Sequence, residues 1–168
     1  KAMNRRYDRA YLEDLLGRVR TIIPHATLRT SIIVGFPGES EKDFDNLCAF
    51  VDHWKFDNLG AFLYSKEEGT EAYGMKKQVT KGVKQERYRR LMEMQNRISK
   101  ENLKRLVGTT TKVIVETKGR GYTEGRILAQ APDIDGVAFI RGTCAPGEVR
   151  ECKIVKTLEY DVIVEVSS

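Results

Sequence analysis

The stretch over residues 28–64 constrains the fold of this 168-residue chain more than any other. Residues 28–35 are rich in β-branched side chains and contain an unbroken apolar run at 32–34, which is typical of a parallel strand covered on both faces. A helical pattern follows, and residues 59–64 predict a second strand. Two parallel strands joined by one helix would leave sheet faces and edges uncovered. The sequence therefore predicts part of a larger parallel α/β sheet, with further strands upstream.

Three helices are predicted around these strands. Asp8 is the expected N-cap of the first helix, which ends before Pro24. Ser40 and Asp43 occupy the positions of a capping box at the start of the second. Apolar residues at helical spacing predict a third, long helix; they are Val83, Tyr88, Leu91, Met94, Ile98 and Leu106. On that helix we expect Tyr88 on the apolar face and the neighbouring arginines in solvent.

The sequence changes character after residue 108. Short β-rich runs separated by glycine- and proline-containing turns predict five strands, at residues 110–117, 121–128, 137–140, 149–157 and 161–166. Five short strands in about 60 residues predict a small closed barrel of OB-like size. We therefore divide the chain into residues 1–106, which end with the long helix, and residues 107–168, which form the barrel.

The charge distribution gives little support for a nucleic-acid-binding function. The net charge is +5, but the surplus lies within residues 81–106, which carry nine basic and three acidic side chains. Residues 107–168 carry eight basic and nine acidic side chains. A solvated helix face explains the basic segment better than a phosphate-binding stripe does. Tyr122 and Phe139 could stack on bases, although core packing is the better explanation of Phe139.

The cysteines indicate a reducing compartment. Cys48, Cys144 and Cys152 are odd in number and scattered, without CxxC or CxxxCxxC spacing, so neither a metal site nor a redox pair is predicted. No apolar run approaches the roughly 18 residues that a membrane-spanning helix needs. We therefore expect a soluble, cytoplasmic protein. Because the chain begins at Lys1 rather than methionine, we also expect a piece of a longer polypeptide.

The strand-to-helix turn SIIVGFPGES, residues 31–40, carries the most informative chemistry. In parallel α/β folds, ligands bind at the carboxyl ends of the strands. Gly35 and Gly38 would let a ligand approach the backbone closely, Pro37 stiffens the turn, and Glu39 offers polar contacts. An ordinary tight loop explains a glycine-proline-glycine string equally well, so the turn alone does not decide between the two explanations.

Three segments, taken together, resemble the radical-SAM methylthiotransferases. They are MNRRY at residues 3–7, RTSIIVGFPGES at 29–40 and FLYSKEEGTEAY at 62–73, in the order seen in that family. The combination is far more specific than a single glycine pattern, and the resemblance covers almost the whole chain. It implies that residues 1–106 are the carboxy-terminal part of a TIM-like radical-SAM barrel. It also implies that residues 107–168 are a TRAM domain, an OB-like barrel that recognises the substrate.

The resemblance further implies that S-adenosylmethionine binds at the ends of the late strands. It assigns to this cofactor Arg5, Ile33, Gly35, Phe36, Pro37, Gly38, Tyr64 and Ser65. The guanidinium of Arg5 would hold the methionyl carboxylate with two parallel hydrogen bonds. Arg6 could do the same, and an ordinary surface arginine is the alternative.

Two branches of the family differ in their substrates. The RimO branch adds a methylthio group to the β-carbon of an aspartate in a small-subunit ribosomal protein, whereas the MiaB branch modifies an adenosine in tRNA. AQAPDIDGVAFI at residues 129–140 and YSKEEGTEAY at 64–73 resemble the RimO branch, as does the lack of an asparagine-arginine motif in the barrel. We therefore expect Arg126, Asp133 and Asp135 to contact a ribosomal protein.

Electrostatics favours the same branch. A module that grips tRNA by its phosphates needs a surplus of basic side chains, and this barrel is slightly acidic. Acidic residues such as Asp133 and Asp135 could instead steer a basic ribosomal protein. Turn formation explains an aspartate before a glycine equally well. The tRNA-directed enzyme and a stand-alone RNA-binding barrel are the alternatives.

The resemblance also implies the chemistry. In the family, a reduced 4Fe-4S cluster cleaves S-adenosylmethionine to a deoxyadenosyl radical, which abstracts hydrogen from an unactivated carbon that then receives sulfur and a methyl group. The cluster needs three closely spaced cysteine thiolates, which this chain does not contain. We therefore assign no catalytic residue and no metal ligand within it, and we expect the chain to be inactive alone.

Overall fold

The structure, a computed structural model, describes residue 3, residues 5–118 and residues 123–167. The chain divides into two compact units, Lys1–Gln95 and Asn96–Ser168. None of the described helices is both long enough and apolar enough to cross a membrane. The domain boundary after residue 106 stays a prediction.

The first unit alternates helices and strands. Its elements are α1 (Arg9–Ile22), β1 (Arg29–Val34), α2 (Glu41–Trp54), β2 (Asn58–Leu63), a short 3-10 helix (Glu71–Gly74) and most of α3 (Lys81–Lys104). The predicted caps are confirmed: the Asp8 carboxylate accepts a hydrogen bond from the Tyr11 amide at 2.9 Å. Ser40 and Asp43 form the expected capping box at the start of α2, which satisfies amide groups that the helix itself leaves without partners.

Strands β1 and β2 pair in parallel, as predicted, with a register that runs from Arg29 opposite Asn58 to Val34 opposite Leu63. Successive side chains of a strand point to opposite faces, and here the two faces differ. Val34 is fully buried, whereas Ile33 is 42% exposed and its register partner Phe62 is 58% exposed. One face of the two described strands is therefore uncovered, as expected for two parallel strands without the rest of a sheet.

Helix α3 corrects the predicted apolar face. Leu91 and Ile98 are buried as expected, but Tyr88 is 38% exposed and Arg87 is only 4% exposed. Positions 87, 91 and 98 follow the helical repeat and lie on one face, and Arg87 rather than Tyr88 is the buried residue near its start. The expectation that the arginines face solvent fails at Arg87 because two glutamates neutralise its charge, as described below.

The second unit contains a closed five-stranded barrel, which confirms the OB-like fold predicted for this region. Its strands are β3 (Thr110–Lys118), β4 (Thr123–Ile127), β5 (Ala138–Arg141), β6 (Val149–Thr157) and β7 (Val162–Val166), in the spatial order β3-β4-β5-β7-β6. Mainly apolar residues fill it, including Val113, Val115, Ile140, Ile154, Val162 and Val164. Cys144 and Cys152 are buried in the same core.

Of the two proposed stacking residues of the barrel, the structure describes Phe139. Phe139 is only partly buried, between the buried residues Ala138 and Ile140 of β5. Since alternate strand residues point to opposite faces, Phe139 is on the outer face, and its assignment to core packing is wrong. Tyr122 lies outside the described residues.

Candidate functional site

The carboxyl ends of β1 and β2 bring several of the predicted cofactor residues together. The Tyr64 amide donates to the Val34 carbonyl at 2.9 Å, which continues the parallel pairing past the ends of the strands. The ring of Phe36 meets the ring of Tyr64 edge to face, with 5.4 Å between centroids. Ile33 lies one residue before this junction, on the exposed sheet face.

The turn from Gly35 to Glu39 is held by its own hydrogen bonds. The Gly35 amide donates to Glu39 Oε1 at 3.0 Å, and the Glu39 amide donates to the Phe36 carbonyl at 2.9 Å. The Gly38 amide donates to the Lys77 carbonyl at 2.9 Å. The two glycine amides therefore already have partners, so a ligand would meet the turn through its exposed surface rather than through these donors.

The two glycines have positive φ angles, +76° at Gly35 and +87° at Gly38, a conformation that favours glycine. Their surroundings differ. A Cβ on Gly35 would overlap Cγ of Lys84, whereas a Cβ on Gly38 would meet no atom within 4 Å in the described part of the chain. Gly35 is therefore explained by packing inside the protein, and only Gly38 leaves open space beside the backbone.

Helix α3 contributes two residues that the sequence analysis did not assign to the site. Lys84 Nζ donates to the Tyr64 carbonyl at 2.8 Å and lies 4.8 Å from the centre of the Tyr64 ring. One turn later, Arg87 forms an ion pair with Glu39 at 2.7 Å. Their three-residue spacing places them on the same side of α3, and this spacing is the only sequence signal that could have linked them.

An apolar surface and one buried hydroxyl make this junction suitable for an adenosyl group. Ile33 and Phe62 expose apolar side chains on the sheet face beside it. The Tyr64 hydroxyl is buried, with no hydrogen-bond partner among the described residues, and buried polar groups are normally paired. The residues present thus fit a ligand that combines a flat apolar ring with hydrogen-bonding groups.

Three predicted cofactor residues remain: Pro37, Ser65 and Arg5. Pro37 is buried within the turn, and Ser65 is exposed directly after Tyr64. Arg5 is exposed in the segment that precedes α1. The roles assigned to all three stay predictions.

Two of the three barrel residues assigned to substrate, Arg126 and Asp135, have structural partners. Arg126 of β4 donates to Glu116 of β3 at 2.6 Å, and Asp135 accepts a hydrogen bond from the Ala131 amide at 2.7 Å. Turn formation therefore accounts for Asp135. Asp133 is exposed in the same loop, with a positive φ of 60°, and its carboxylate is accessible to a partner.

Comparison with known proteins finds similarity along the whole chain. The sequence model of the TRAM domain matches residues 107–166. A protein named ribosomal protein uS12 methylthiotransferase RimO, from Geobacter sulfurreducens, is 46% identical over 100% of this chain and 38% of its own length. The whole chain is similar to the RimO methylthiotransferases. RimO of Pelobacter propionicus is 45% identical over 99% of the chain and 38% of the relative, and RimO of Thermotoga sp. strain RQ2 is 43% identical over 96% and 38%.

This chain thus spans less than two fifths of the length of these RimO proteins. Its residues do not fit an iron–sulfur cluster. Cys48 lies on α2, whereas Cys144 and Cys152 are buried in the barrel core. Among the described residues, no group of three or more histidine, cysteine, aspartate or glutamate side chains could hold a metal ion. Burial raises the pKa of the Cys48 and Cys152 thiols, which disfavours the thiolate form that metals bind.

Proposed function

We propose that this chain is the carboxy-terminal part of a RimO-type radical-SAM methylthiotransferase, made of the last strands of a TIM-like barrel and a TRAM domain. The parent enzyme would add a methylthio group to the β-carbon of an aspartate in a small-subunit ribosomal protein, which would place it in the cytoplasm. The observation that carries this proposal is 46% identity over the whole chain to a protein named uS12 methylthiotransferase. The parallel pairing of β1 and β2 supports it.

The junction at the ends of β1 and β2 would hold S-adenosylmethionine, which supplies the methyl and adenosyl groups of the reaction. Ile33 and Phe36 would contact the adenine ring, and the ligand would pass closest to the backbone at Gly38, where space is open. The buried Tyr64 hydroxyl would gain a partner. Arg5 would pair with the methionyl carboxylate.

Binding of S-adenosylhomocysteine, followed by NMR shifts of backbone amides in this chain, tests that site. We expect shifts concentrated at residues 33–38 and 64–65. Ile33→Asn should weaken binding at least tenfold, because it places a polar group on the apolar contact surface. Ile22→Asn is the matched control, since Ile22 is 72% exposed at the end of α1. Equal effects of the two substitutions, or shifts confined to the barrel, would refute this site.

The TRAM domain would recognise the ribosomal protein through its loop between β4 and β5. Asp133 offers an exposed carboxylate there, and the slight acidity of residues 107–168 complements a basic protein better than an RNA phosphate backbone. Arg126 and Asp135 would support this surface through their contacts with Glu116 and Ala131.

Titration of the chain with purified uS12 and, separately, with tRNA distinguishes the two substrate classes. We expect measurable affinity for uS12 and weak binding of tRNA. Asp133→Asn should weaken uS12 binding several-fold while preserving the backbone, because asparagine tolerates a positive φ as well as aspartate does. Asp14→Asn, a change of exposed charge on α1, is the control. Tight, strongly salt-dependent tRNA binding would favour the MiaB-like alternative.

The chain itself should transfer no methylthio group, because the cysteines that it contains do not form a cluster site. The measurement is mass spectrometry of uS12 after incubation with S-adenosylmethionine, a reductant and reconstituted iron and sulfide. Modified uS12 in that mixture would contradict this expectation.

A further inference from the structure

Arg87 is the most deeply buried charged side chain in the described part of the chain, with 4% exposure. Its Nη1 donates to Glu39 Oε1 at 2.7 Å and to the Glu39 carbonyl at 3.2 Å. Its Nη2 donates to Glu41 Oε2 at 3.1 Å, and the guanidinium lies 5.5 Å from the centre of the Phe44 ring. A buried charge persists only when it is paired and hydrogen-bonded, and Arg87 meets that requirement at the turn after β1.

The hydrogen bonds of Arg87 continue into the turn itself. Glu39 Oε1, which accepts from Arg87, also accepts from the Gly35 amide at 3.0 Å. The side chain of Glu39 is only 12% exposed, so water provides little alternative solvation for its carboxylate. Arg87 thereby fixes the last residue of the turn through the Glu39 carbonyl, and the first residue through the shared carboxylate oxygen.

We infer that Arg87 is a positioning residue for the adenosyl ligand: from α3 it holds the turn between Gly35 and Glu39 in the conformation that binds it. The inference rests on the proposed function, which places the ligand at this turn. Arg87 acts through Glu39 and touches no reacting atom. Without it, Glu39 would be a nearly buried carboxylate without its strongest counter-charge, and the turn would adopt other conformations in which Glu39 reaches water.

Arg90 provides a matched control on the same helix. It pairs with Glu41 and Asp45 of α2 and lies 4.9 Å from the centre of the same Phe44 ring. Its side chain is 40% exposed. Arg90→Met therefore removes one positive charge and ion pairs between α2 and α3, as Arg87→Met does, but it leaves the contacts with Glu39 in place.

The test combines a local and a functional measurement on the 168-residue chain. Hydrogen exchange of the Gly35 amide reports whether the turn stays closed, and an NMR titration with S-adenosylhomocysteine reports ligand affinity. Arg87→Met should accelerate exchange at Gly35 at least tenfold and weaken binding at least tenfold. Arg90→Met should change each by less than about twofold. These expectations follow from the loss of two charge-assisted hydrogen bonds to Glu39.

Arg87→Lys separates positioning from general stability. Lysine keeps the charge but cannot reproduce the two-pronged contact of a guanidinium, so we expect intermediate losses in both measurements. It also carries the test if Arg87→Met does not fold, which the fluorescence of Trp54 in α2 would reveal. Unchanged ligand affinity in a folded Arg87 variant would overturn the inference alone. A native chain that does not bind S-adenosylhomocysteine would instead refute the proposed function, and the inference with it.

Discussion

Replacement of Gly35 by alanine should destabilise the first unit more than replacement of Gly38, although both glycines belong to the same turn. Both have positive φ angles, so each alanine meets a backbone penalty of about 1–2 kcal/mol. Only at Gly35 would the new Cβ overlap another side chain, the stem of Lys84. Lys84 can move away only by giving up its hydrogen bond to the Tyr64 carbonyl.

The size of the difference follows from that hydrogen bond. A hydrogen bond to a charged group contributes about 1.5–3 kcal/mol. We therefore expect Gly38→Ala to lower the free energy of unfolding by about 1–2 kcal/mol, and Gly35→Ala by about 2.5–5 kcal/mol. In a Lys84→Ala background the overlap with Cγ is removed and only the contact with Cβ of residue 84, at 3.3 Å, remains, so Gly35→Ala should then cost little more than Gly38→Ala.

Urea unfolding measured by tryptophan fluorescence is a suitable assay, because Trp54 is the single tryptophan and lies on α2 of the first unit. The native chain, the two single variants and the double variant form a double-mutant cycle between Gly35 and Lys84. Additive effects in that cycle, or equal destabilisation by Gly35→Ala and Gly38→Ala, would show that Lys84 does not explain the glycine.

Two further predictions concern the barrel and the ion pairs between α2 and α3. Gly136→Ala should destabilise the barrel by about 3 kcal/mol, because its Cβ would overlap the Tyr160 carbonyl. Gly147→Ala should cost about 1–2 kcal/mol, because no atom of the described structure lies within 4 Å of the added Cβ. Circular dichroism during urea unfolding measures the destabilisation in both variants. Hydrogen bonds from Arg90 and Arg87 lower the pKa of Glu41 below its ordinary value of 4.5. The stability contributed by the Glu41 carboxylate is therefore complete above pH 4.5 and is lost as the pH falls through the lowered pKa. Glu41→Gln should make the fall of the unfolding free energy with decreasing pH less steep. An unchanged pH dependence on the acid side would contradict this prediction.

The parts of the fold that the sequence predicts well depend on residues close together in the chain. The cap at Asp8 and the capping box at Ser40 involve partners three residues away, which a single sequence displays directly. The five barrel strands likewise follow from local alternation and turn residues. The parallel pairing of β1 and β2 was predictable because a helix between two strands of one sheet leaves little other choice.

The burial of Arg87 could not be predicted in the same way. Apolar periodicity assigns Tyr88 to the buried face of α3 and leaves Arg87 out of it. Burial of Arg87 is favourable because its side chain pairs with Glu39 and Glu41, almost fifty positions earlier in the chain. The exposed face of β1 has a related cause. The apolar run that contains Ile33 predicts a strand covered on both faces, but Ile33 and its register partner Phe62 are both exposed. The apolar pattern therefore indicates that this sheet face needs a covering element, which the described residues do not supply.

Gly35 and Gly38 give the same signal in the sequence for different physical reasons. Both have the positive φ that favours glycine, but the side chain of Lys84 occupies the space beside Gly35, and the space beside Gly38 is open. A ligand that needs a glycine for close approach must therefore reach the turn at Gly38. Gly35 would serve that ligand indirectly, because its packing against Lys84 and its hydrogen bond to Glu39 hold the turn in place. The glycine pattern by itself thus does not distinguish the glycine that a ligand could approach from the one that packs against the protein.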